Sequence, residues 1–246
     1  MTELDGLAAL VTGGCSGIGA ATATLLRDKG AQVAVLDLHT EKAPAGVTAV
    51  RCDITDTRAV NASVAQVAEL FGRLDVLVNN AGIGAVGAVD AQDDTQWARV
   101  LDVNVTGIAR VTTAALPHLR RSPHAAVVNL CSAVAFVGVR QRALYSASKG
   151  AVHALTLAMA ADHAQDGIRV NAVAPGTADT PWVARLLDSA DDPDAAAEAL
   201  RARQPLGRLV TAEEVADAVV SLVSPHAGST TGTIFRVDGG MTSLRL

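Results

Sequence analysis

The sequence predicts a doubly wound α/β fold built on a parallel sheet, and three observations carry that expectation. Short apolar runs recur along the chain without polar alternation, as strands covered on both faces require. Longer amphipathic stretches lie between them, at spacings that suit crossover helices. Of the 246 residues, 50% are hydrophobic, 18% charged and only 2% aromatic. A chain of this size and composition buries a substantial aliphatic core.

The first strand is read at Leu7–Thr12 and the second at Gln32–Leu36. Further strands are read at Val47–Arg51, Asp75–Val78, Ala125–Leu130, Ile168–Val173 and Thr233–Val237. Right-handed crossovers would place helices on both faces. Val60, Val64, Val67 and Phe71 fall on one face of a helix that Gly72 is expected to stop. After the fifth strand a helix is expected over Ser146–Asp166. Thr211-Ala-Glu-Glu214 is a capping-box start for a helix running to about Val223. The one break in rhythm is Gly176–Pro205, too long for an ordinary αβ loop. It holds two short helical pieces, about Pro181–Leu187 and Pro193–Arg203, with the acidic stretch Asp188–Asp194 between. Insertions of this kind often serve as lids. The expected organisation is one domain over residues 1–246 with a substrate lid at about 177–205.

Charge and cysteine content narrow the function classes. A net charge of −5 argues against nucleic acid or an anionic membrane as the partner, and the apolar content excludes wholesale disorder. Cys15, Cys52 and Cys131 form no close pair and no metal-ligand spacing, so free thiols in a reducing compartment and no metal site are expected. Met1-Thr2-Glu3-Leu4-Asp5 lacks the basic and apolar regions of a secretory leader. No stretch reaches about 18 uncharged apolar residues. A cytoplasmic protein is the expectation.

After the first strand, Thr12-Gly-Gly-Cys-Ser-Gly-Ile-Gly19 opens a helix. Glycines there let the backbone turn tightly and approach a pyrophosphate, whose charge is favoured at a helix N-terminus. The spacing of Gly13, Gly17 and Gly19 departs from G-x-G-x-x-G, and a plain glycine-rich turn is the alternative. Asp37 directly follows the second strand. A carboxylate there accepts hydrogen bonds from both adenosine ribose hydroxyls and repels a 2′-phosphate, so NAD is expected over NADP. The alternative is an aspartate capping a turn, and Lys42 is the nearest cation a 2′-phosphate would find. Asp53 and Asn79-Asn-Ala-Gly82 stand at strand C-termini, where open α/β sheets bind ligands.

Tyr145 is the only tyrosine in the chain, and Lys149 follows it by one helical turn on the same face. A phenol with a pKa near 10 is drawn toward its anion by a neighbouring ammonium, which brings it into range for acid–base work. Ser132 follows the fifth strand, where its hydroxyl could bond the substrate oxygen. Taken singly, the lysine would be a solvated charge and the serine a cap.

In these motifs the sequence resembles the short-chain dehydrogenase/reductase family, over essentially the whole chain. The matching residues are Thr12-Gly-x-x-x-Gly-Ile-Gly19, Asp53, Asn79-Asn-Ala-Gly82, Asn104, Ser132, Tyr145-x-x-x-Lys149 and Pro175-Gly176. The resemblance implies a Rossmann-type sheet of seven parallel strands in the order 3-2-1-4-5-6-7. It implies an NAD-dependent oxidoreductase interconverting a secondary alcohol and a ketone, or a sugar hemiacetal and a lactone. Tyr145 would move the alcohol proton, and Lys149 would lower its pKa and hold the nicotinamide ribose. Ser132 would orient the substrate, and Asn104, in a helix after the fourth strand, would hold a relay water. Implied cofactor contacts are Gly13, Cys15, Ser16, Gly17, Ile18, Gly19, Asp37, Leu38, Cys52, Asp53, Ile54, Asn80, Ala81 and Gly82. Tyr145 and Lys149 join them, with Pro175, Gly176, Thr177 and Thr180 flanking the nicotinamide amide. Many relatives carry serine where Cys131 stands. That position points back towards the strand, so packing is affected more than chemistry.

Gln141-Arg-Ala-Leu-Tyr145, Pro175-Gly-Thr-Ala-Asp-Thr-Pro181 and Ala202-Arg-Gln-Pro-Leu-Gly207 resemble a subgroup acting on hydroxy acids and deoxy-sugar acids, and also bacterial sugar dehydrogenases. In that subgroup arginines matching Arg142 and Arg203 approach the substrate carboxylate, which a guanidinium fork suits. Substrate contacts are therefore expected at Ser132, Arg142, Tyr145 and Arg203, with Arg185 near a third such position. Surface arginines on a flexible lid are the bland alternative. Trp182 could close over the pocket or pack in the core. Two rival readings are a ketoacyl carrier-protein reductase, against which Asp37 and the negative charge count, and a non-catalytic NAD-binding sensor or scaffold, against which the intact Ser132, Tyr145 and Lys149 count. Alanine-rich faces around Trp97–Leu119 and Ala147–Ala161 allow close helix approach. The family commonly pairs these helices, so a homotetramer, or a homodimer, is expected.

Overall fold

The computed structural model describes residues 3–188, 190 and 192–245. Seven parallel strands form one sheet: β1 Ala8–Thr12, β2 Gln32–Asp37, β3 Thr48–Arg51, β4 Val76–Asn79, β5 Ala126–Leu130, β6 Arg169–Pro175 and β7 Ile234–Val237. Their order is β3-β2-β1-β4-β5-β6-β7, as the family resemblance implies. The helices are α1 Gly17–Asp28, α2 Thr57–Phe71, α3 Asp94–Leu101, α4 Gly107–Leu119, α5 Ala143–His163, α6 Pro181–Asp188, α7 Pro193–Ala202 and α8 Ala212–Val223.

Period-two alternation decides which residues meet which layer. Along β1, Leu10 faces α2, α4 and α5, where it joins Val64, Val111 and Val152. Ala9 and Val11 face the other side, where α1 and α8 supply Leu26 and Val219. Both faces are covered, and every residue of β1, β4 and β5 is buried. That is why these strands read as unbroken apolar runs. At the N-terminal edge of the sheet, the Arg73 guanidinium donates two bonds of 2.7 Å to the fully buried Asp75. Ser122 and the Ala8 N–H complete the shell of that carboxylate.

Helix ends follow their local chemistry. The Asp56 side chain caps α2 by accepting from Arg58 and Ala59 N–H, and Gly72, left-handed at φ 70°, ends it. Thr211 and Glu214 form the expected capping box of α8. Two differences matter for the site. Helix α5 starts at Ala143, three residues earlier than expected, so Tyr145 lies inside its first turn. Between α3 and α4 the chain makes a π-helical stretch, Asp102–Thr106, that contains Asn104. Hydrophobic periodicity does not separate such a stretch from a plain helix. Asp37 and Asn79 are the last residues of β2 and β4 rather than the first beyond them.

The long β6–α8 connection folds into α6 and α7 within a residue of their expected bounds. Its neck is closed by a bridge between Ala178 and Val210, with Asp179 N–H donating to the Val210 carbonyl at 2.8 Å and Val210 N–H to that of Thr177 at 3.1 Å. The buried Gln204 amide donates to the carbonyls of Thr177 (3.2 Å) and Arg208 (2.8 Å), one on each side of the neck. Among the described residues, no helix is long and apolar enough to cross a membrane. The three cysteines are buried and unpaired.

Candidate active site

A cleft of about 980 Å³ opens along the C-terminal ends of the strands, at the upper end of the usual range for ligand sites. One half is built by the β1–α1 turn and the ends of β2, β3 and β4. Gly13 is left-handed at φ 63°, and a Cβ there would lie 2.9 Å from the Ala81 Cα. The Ser16 hydroxyl at the N-cap of α1 makes no capping bond, and no acidic residue stands in the first turn. The first-turn N–H groups are thus left for an anion. Asp37 is held at the cleft by N–H donors from Cys15 (3.0 Å) and His39 (3.0 Å). Asn80 ties β4 to the glycine turn, its amide donating to the Thr12 and Gly13 carbonyls at 2.9 Å each. The Thr55 N–H and hydroxyl hold the Asp53 carboxyl below its ordinary range. Open first-turn amides, a carboxylate at the β2 end and a turn that tolerates only glycine form a donor and acceptor set that fits a dinucleotide.

Of the cofactor residues expected from sequence, all but Cys15 and Gly19 line this cleft. Cys15 is buried behind it, its thiol pushed up to about 11 by burial and by Asp37. Gly19 packs behind the turn, where a Cβ would lie 2.1 Å from the Gly13 carbonyl oxygen. Both serve the shape of the turn.

The other half is built around α5. Ser132, just past β5, is the hydroxyl that most lowers the Tyr145 phenol. Lys149 lies 5.8 Å from the Tyr145 ring centroid and donates to the Leu130 carbonyl at 2.6 Å. Burial pushes the Tyr145 phenol up to about 12, against the lowering effects of Ser132 and Arg142. Burial also brings the Lys149 ammonium down to about 8. Among the protein groups that lower Tyr145, Ser132 and Arg142 figure and Lys149 does not. The Cys131 thiol faces the Lys149 carbonyl at 3.4 Å, directed into the packing.

Asn104 lies between the two halves of the site. It is fully buried and is not among the cleft residues. Its amide donates to the Ile83 carbonyl (2.9 Å) and Ser148 hydroxyl (3.0 Å), and its oxygen accepts from Ile83 N–H (2.8 Å). These contacts bind the β4 exit to α5. With both N–H donors engaged, its side chain positions the wall of the cleft.

Arg142 and Arg203 both line the cleft. Burial, and then the nearby Arg203 charge, lower the Arg142 guanidinium. Among the described residues neither arginine has an ion-pair partner, while Arg73, Arg110, Arg120 and Arg208 do. The turn aiming Arg142 is unusual: Gln141, at φ 60°, is the one non-glycine residue with positive φ among those described, and Gly87 N–H donates to its carbonyl at 3.0 Å. Sequence reasoning left Arg185 and Trp182 undecided, and both line the cleft. It missed Arg99, Leu200 and Met241. Met241 arrives from the turn after β7, which the Asp238 carboxylate shapes by accepting from Gly240 and Thr242. No local pattern could have announced it.

A family profile described as enoyl-(acyl carrier protein) reductase matches residues 13–242. The chain is 44% identical to cis-4-hydroxycyclohexanecarboxylate dehydrogenase of Sinomonas cyclohexanicum, over 96% of each chain. It is 35% identical to a 3-oxoacyl-(acyl-carrier-protein) reductase of Thermotoga maritima, over 97% of this chain and 99% of that one. Among solved structures it superposes on the aldohexose dehydrogenase of Thermoplasma acidophilum with a TM-score of 0.93 and 33% identity, covering 99% of this chain and 97% of that one.

Proposed function

The chain belongs to the short-chain dehydrogenase/reductase family and is an NAD(P)-dependent oxidoreductase that interconverts alcohol and ketone, and we propose that it uses NAD on a small hydroxy acid or sugar acid. The observation that carries the substrate class is the pair of unpaired guanidiniums, Arg142 and Arg203, beside Tyr145. Arg142 is half-buried and Arg203 exposed at the cleft, and two like charges facing one cleft are favoured when an anion joins them. Asp37 at the β2 end supports NAD, because it would repel a 2′-phosphate.

Bound nicotinamide supplies the acceptor or donor of hydride. The protein supplies the rest. Ser132 and Tyr145 hold the substrate oxygen between two hydroxyls. At neutral pH a phenol pushed up to about 12 is protonated, so Tyr145 is ready as the acid for ketone reduction. For alcohol oxidation the phenol must first release its own proton to solvent, and the phenolate, favoured by Ser132 and the Arg142 charge, then takes the alcohol proton. Lys149, held by the Leu130 carbonyl and 5.8 Å from the Tyr145 ring centroid, would hold the nicotinamide ribose. Helices α6 and α7 act as the lid, and their hinge is the bridged neck. The α4 and α5 faces, where Leu157 is exposed, would pair copies into a homotetramer in the cytoplasm.

The test is turnover of NAD⁺ with a panel of hydroxy acids, sugar acids and neutral sugars, followed by NADH absorbance. Acids should be preferred. Arg142→Ala and Arg203→Ala should each raise KM for an acid about tenfold to a hundredfold, the range for a lost charge-assisted hydrogen bond. An unchanged KM would remove the carboxylate reading.

A further inference from the structure

The two halves of the cleft are lined by different chemistry. The acidic and amide side chains lining it are Asp37, Asp53, Asn80 and Asp102, at or just beyond the ends of β2, β3 and β4 or in the π-helical stretch. The Asn80 amide is engaged by the glycine turn, and Asp102 is paired with Arg110 at 2.6 Å. Around Tyr145 the apolar walls are Val134, Val139, Trp182, Leu186, Leu200 and Met241, with the guanidiniums of Arg142 and Arg203 and the hydroxyls of Ser132 and Thr177 also lining the cleft. Among the described residues, no carboxylate or carboxamide side chain lines that half. A polyol brings several O–H donors, and each one buried without an acceptor is penalised. A hydrocarbon body meets no such penalty there.

Trp182 dominates these walls. Its indole lies against Gly84 so closely that a Cβ would fall 2.3 Å from Cζ2. Its centroid is 6.2 Å from that of Tyr145, with the rings inclined by 42°. Yet the side chain is 41% exposed, on the cleft, where a ligand would cover it. A broad, rigid apolar body covers an indole face without losing rotamer freedom on binding.

We infer that Trp182, seated on Gly84, is the wall that packs the substrate's carbon skeleton, and that the substrate is an alicyclic hydroxy acid: a compact saturated ring, not a polyol. The ring carboxylate lies on Arg142 and Arg203, and the ring hydroxyl on Ser132 and Tyr145. Oxidation takes the carbinol hydrogen with its electron pair to NAD⁺ and the O–H proton to the Tyr145 phenolate, formed by prior loss of its proton to solvent, leaving a ring ketone and NADH. This narrowing rests on the dehydrogenase reading above.

The experiment compares wild type, Trp182→Ala, Trp182→Phe and Gly84→Ala with NAD⁺ and three substrates: 4-hydroxycyclohexanecarboxylate, 3-hydroxybutyrate and gluconate. Wild type should favour the ring acid. Trp182→Ala should raise its KM at least about tenfold, the scale set by small changes in an apolar pocket, with kcat within about threefold. Trp182→Phe should recover most of the loss, and Gly84→Ala should mimic Trp182→Ala by displacing the indole. KM for 3-hydroxybutyrate should move less than about threefold. Preference for gluconate, or a ring-acid KM indifferent to Trp182→Ala, overturns the inference. Cyclohexanecarboxylate, which has no hydroxyl to oxidise, is also titrated into the NADH complex while tryptophan emission is followed. The wild-type response should vanish in Trp182→Phe, where only Trp97 remains. An emission response without oxidation of any hydroxy acid sinks the dehydrogenase reading and keeps the wall. Oxidation with silent emission sinks the wall alone, and failure of both sinks both.

Discussion

Because the chain has a single tyrosine, ionisation of Tyr145 can be read directly from the phenolate absorbance. Burial pushes this phenol from 10 up to about 12, a penalty on the anion of roughly 3 kcal/mol. At pH 8 only about one protein molecule in ten thousand would then carry the phenolate. The titration is run on the protein without cofactor, with Tyr145→Phe as the baseline. No phenolate should appear at the ordinary midpoint near 10, and it should emerge only well above pH 11. Ser132→Ala removes a hydroxyl that lowers this pKa, and should delay the change further. A midpoint at or below 10 would refute the claim that burial dominates this site. The same residues set a signature in stability. Lys149, lowered to about 8 in the fold, has lost its proton there at a pH where the unfolded lysine keeps one. Stability from this group therefore rises between about pH 8 and 10. Tyr145, raised above its unfolded value, gives the opposite trend, and its contribution is lost as pH climbs from 10 towards 12. Kinetically, Tyr145→Phe should lower kcat by at least about a hundredfold to ten-thousandfold, the usual share of acid–base catalysis, while NADH binding survives. Retention of activity within about tenfold would remove Tyr145 from the chemistry.

Three further outcomes follow from the same geometry. Asp37→Ala should weaken NAD⁺ binding and raise the NADP⁺ to NAD⁺ ratio of kcat/KM by about tenfold or more, and an unchanged ratio would show that Asp37 does not read the ribose. Gln204→Leu leaves the Thr177 and Arg208 carbonyls without their shared donor, so the thermal midpoint should fall by roughly 2–10 °C, with KM affected more than NADH affinity. Burial raises the Asp75 pKa, but Arg73, Ser122 and the Ala8 N–H outweigh it and hold the group below its ordinary value. Its stabilisation is present above the unfolded carboxylate pKa and is lost as pH falls through the folded one. Asp75→Asn should cost about 2–4 kcal/mol at pH 7 and flatten acid unfolding, measured by denaturant titration at each pH.

The parallel sheet was legible because strands buried on both faces leave an unbroken apolar signature, and β1, β4 and β5 carry it in full. Gly72 and the Thr211–Glu214 box marked their helix ends because capping is local chemistry within a few residues. The start of α5 was misplaced because nothing local announces a helix entered from Gln141, whose left-handed φ of 60° is fixed by a long-range bond to Gly87. Cys15 and Gly19 carry the glycine motif without lining the cleft, since a motif records what a turn needs for its shape as well as what touches a ligand. Asn104 is the sharper case. Its place in the sequence was informative, but the buried contacts to Ile83 and Ser148 that engage both of its N–H donors come from distant segments.

By itself, then, the sequence determined the layer architecture, the glycine turn, and the set of Ser132, Tyr145 and Lys149. Each is written in spacing along the chain, as a strand period, a turn requirement or one helical turn. Only the tertiary structure decided how those groups behave. It buries the phenol and the ammonium together, so that both pKa values move against the charged form. It also brings Arg142 beside Arg203 and Trp182 onto Gly84 from segments far apart in sequence. Desolvation and cross-chain packing depend on what closes over a residue, and that has no signature in its neighbours along the chain.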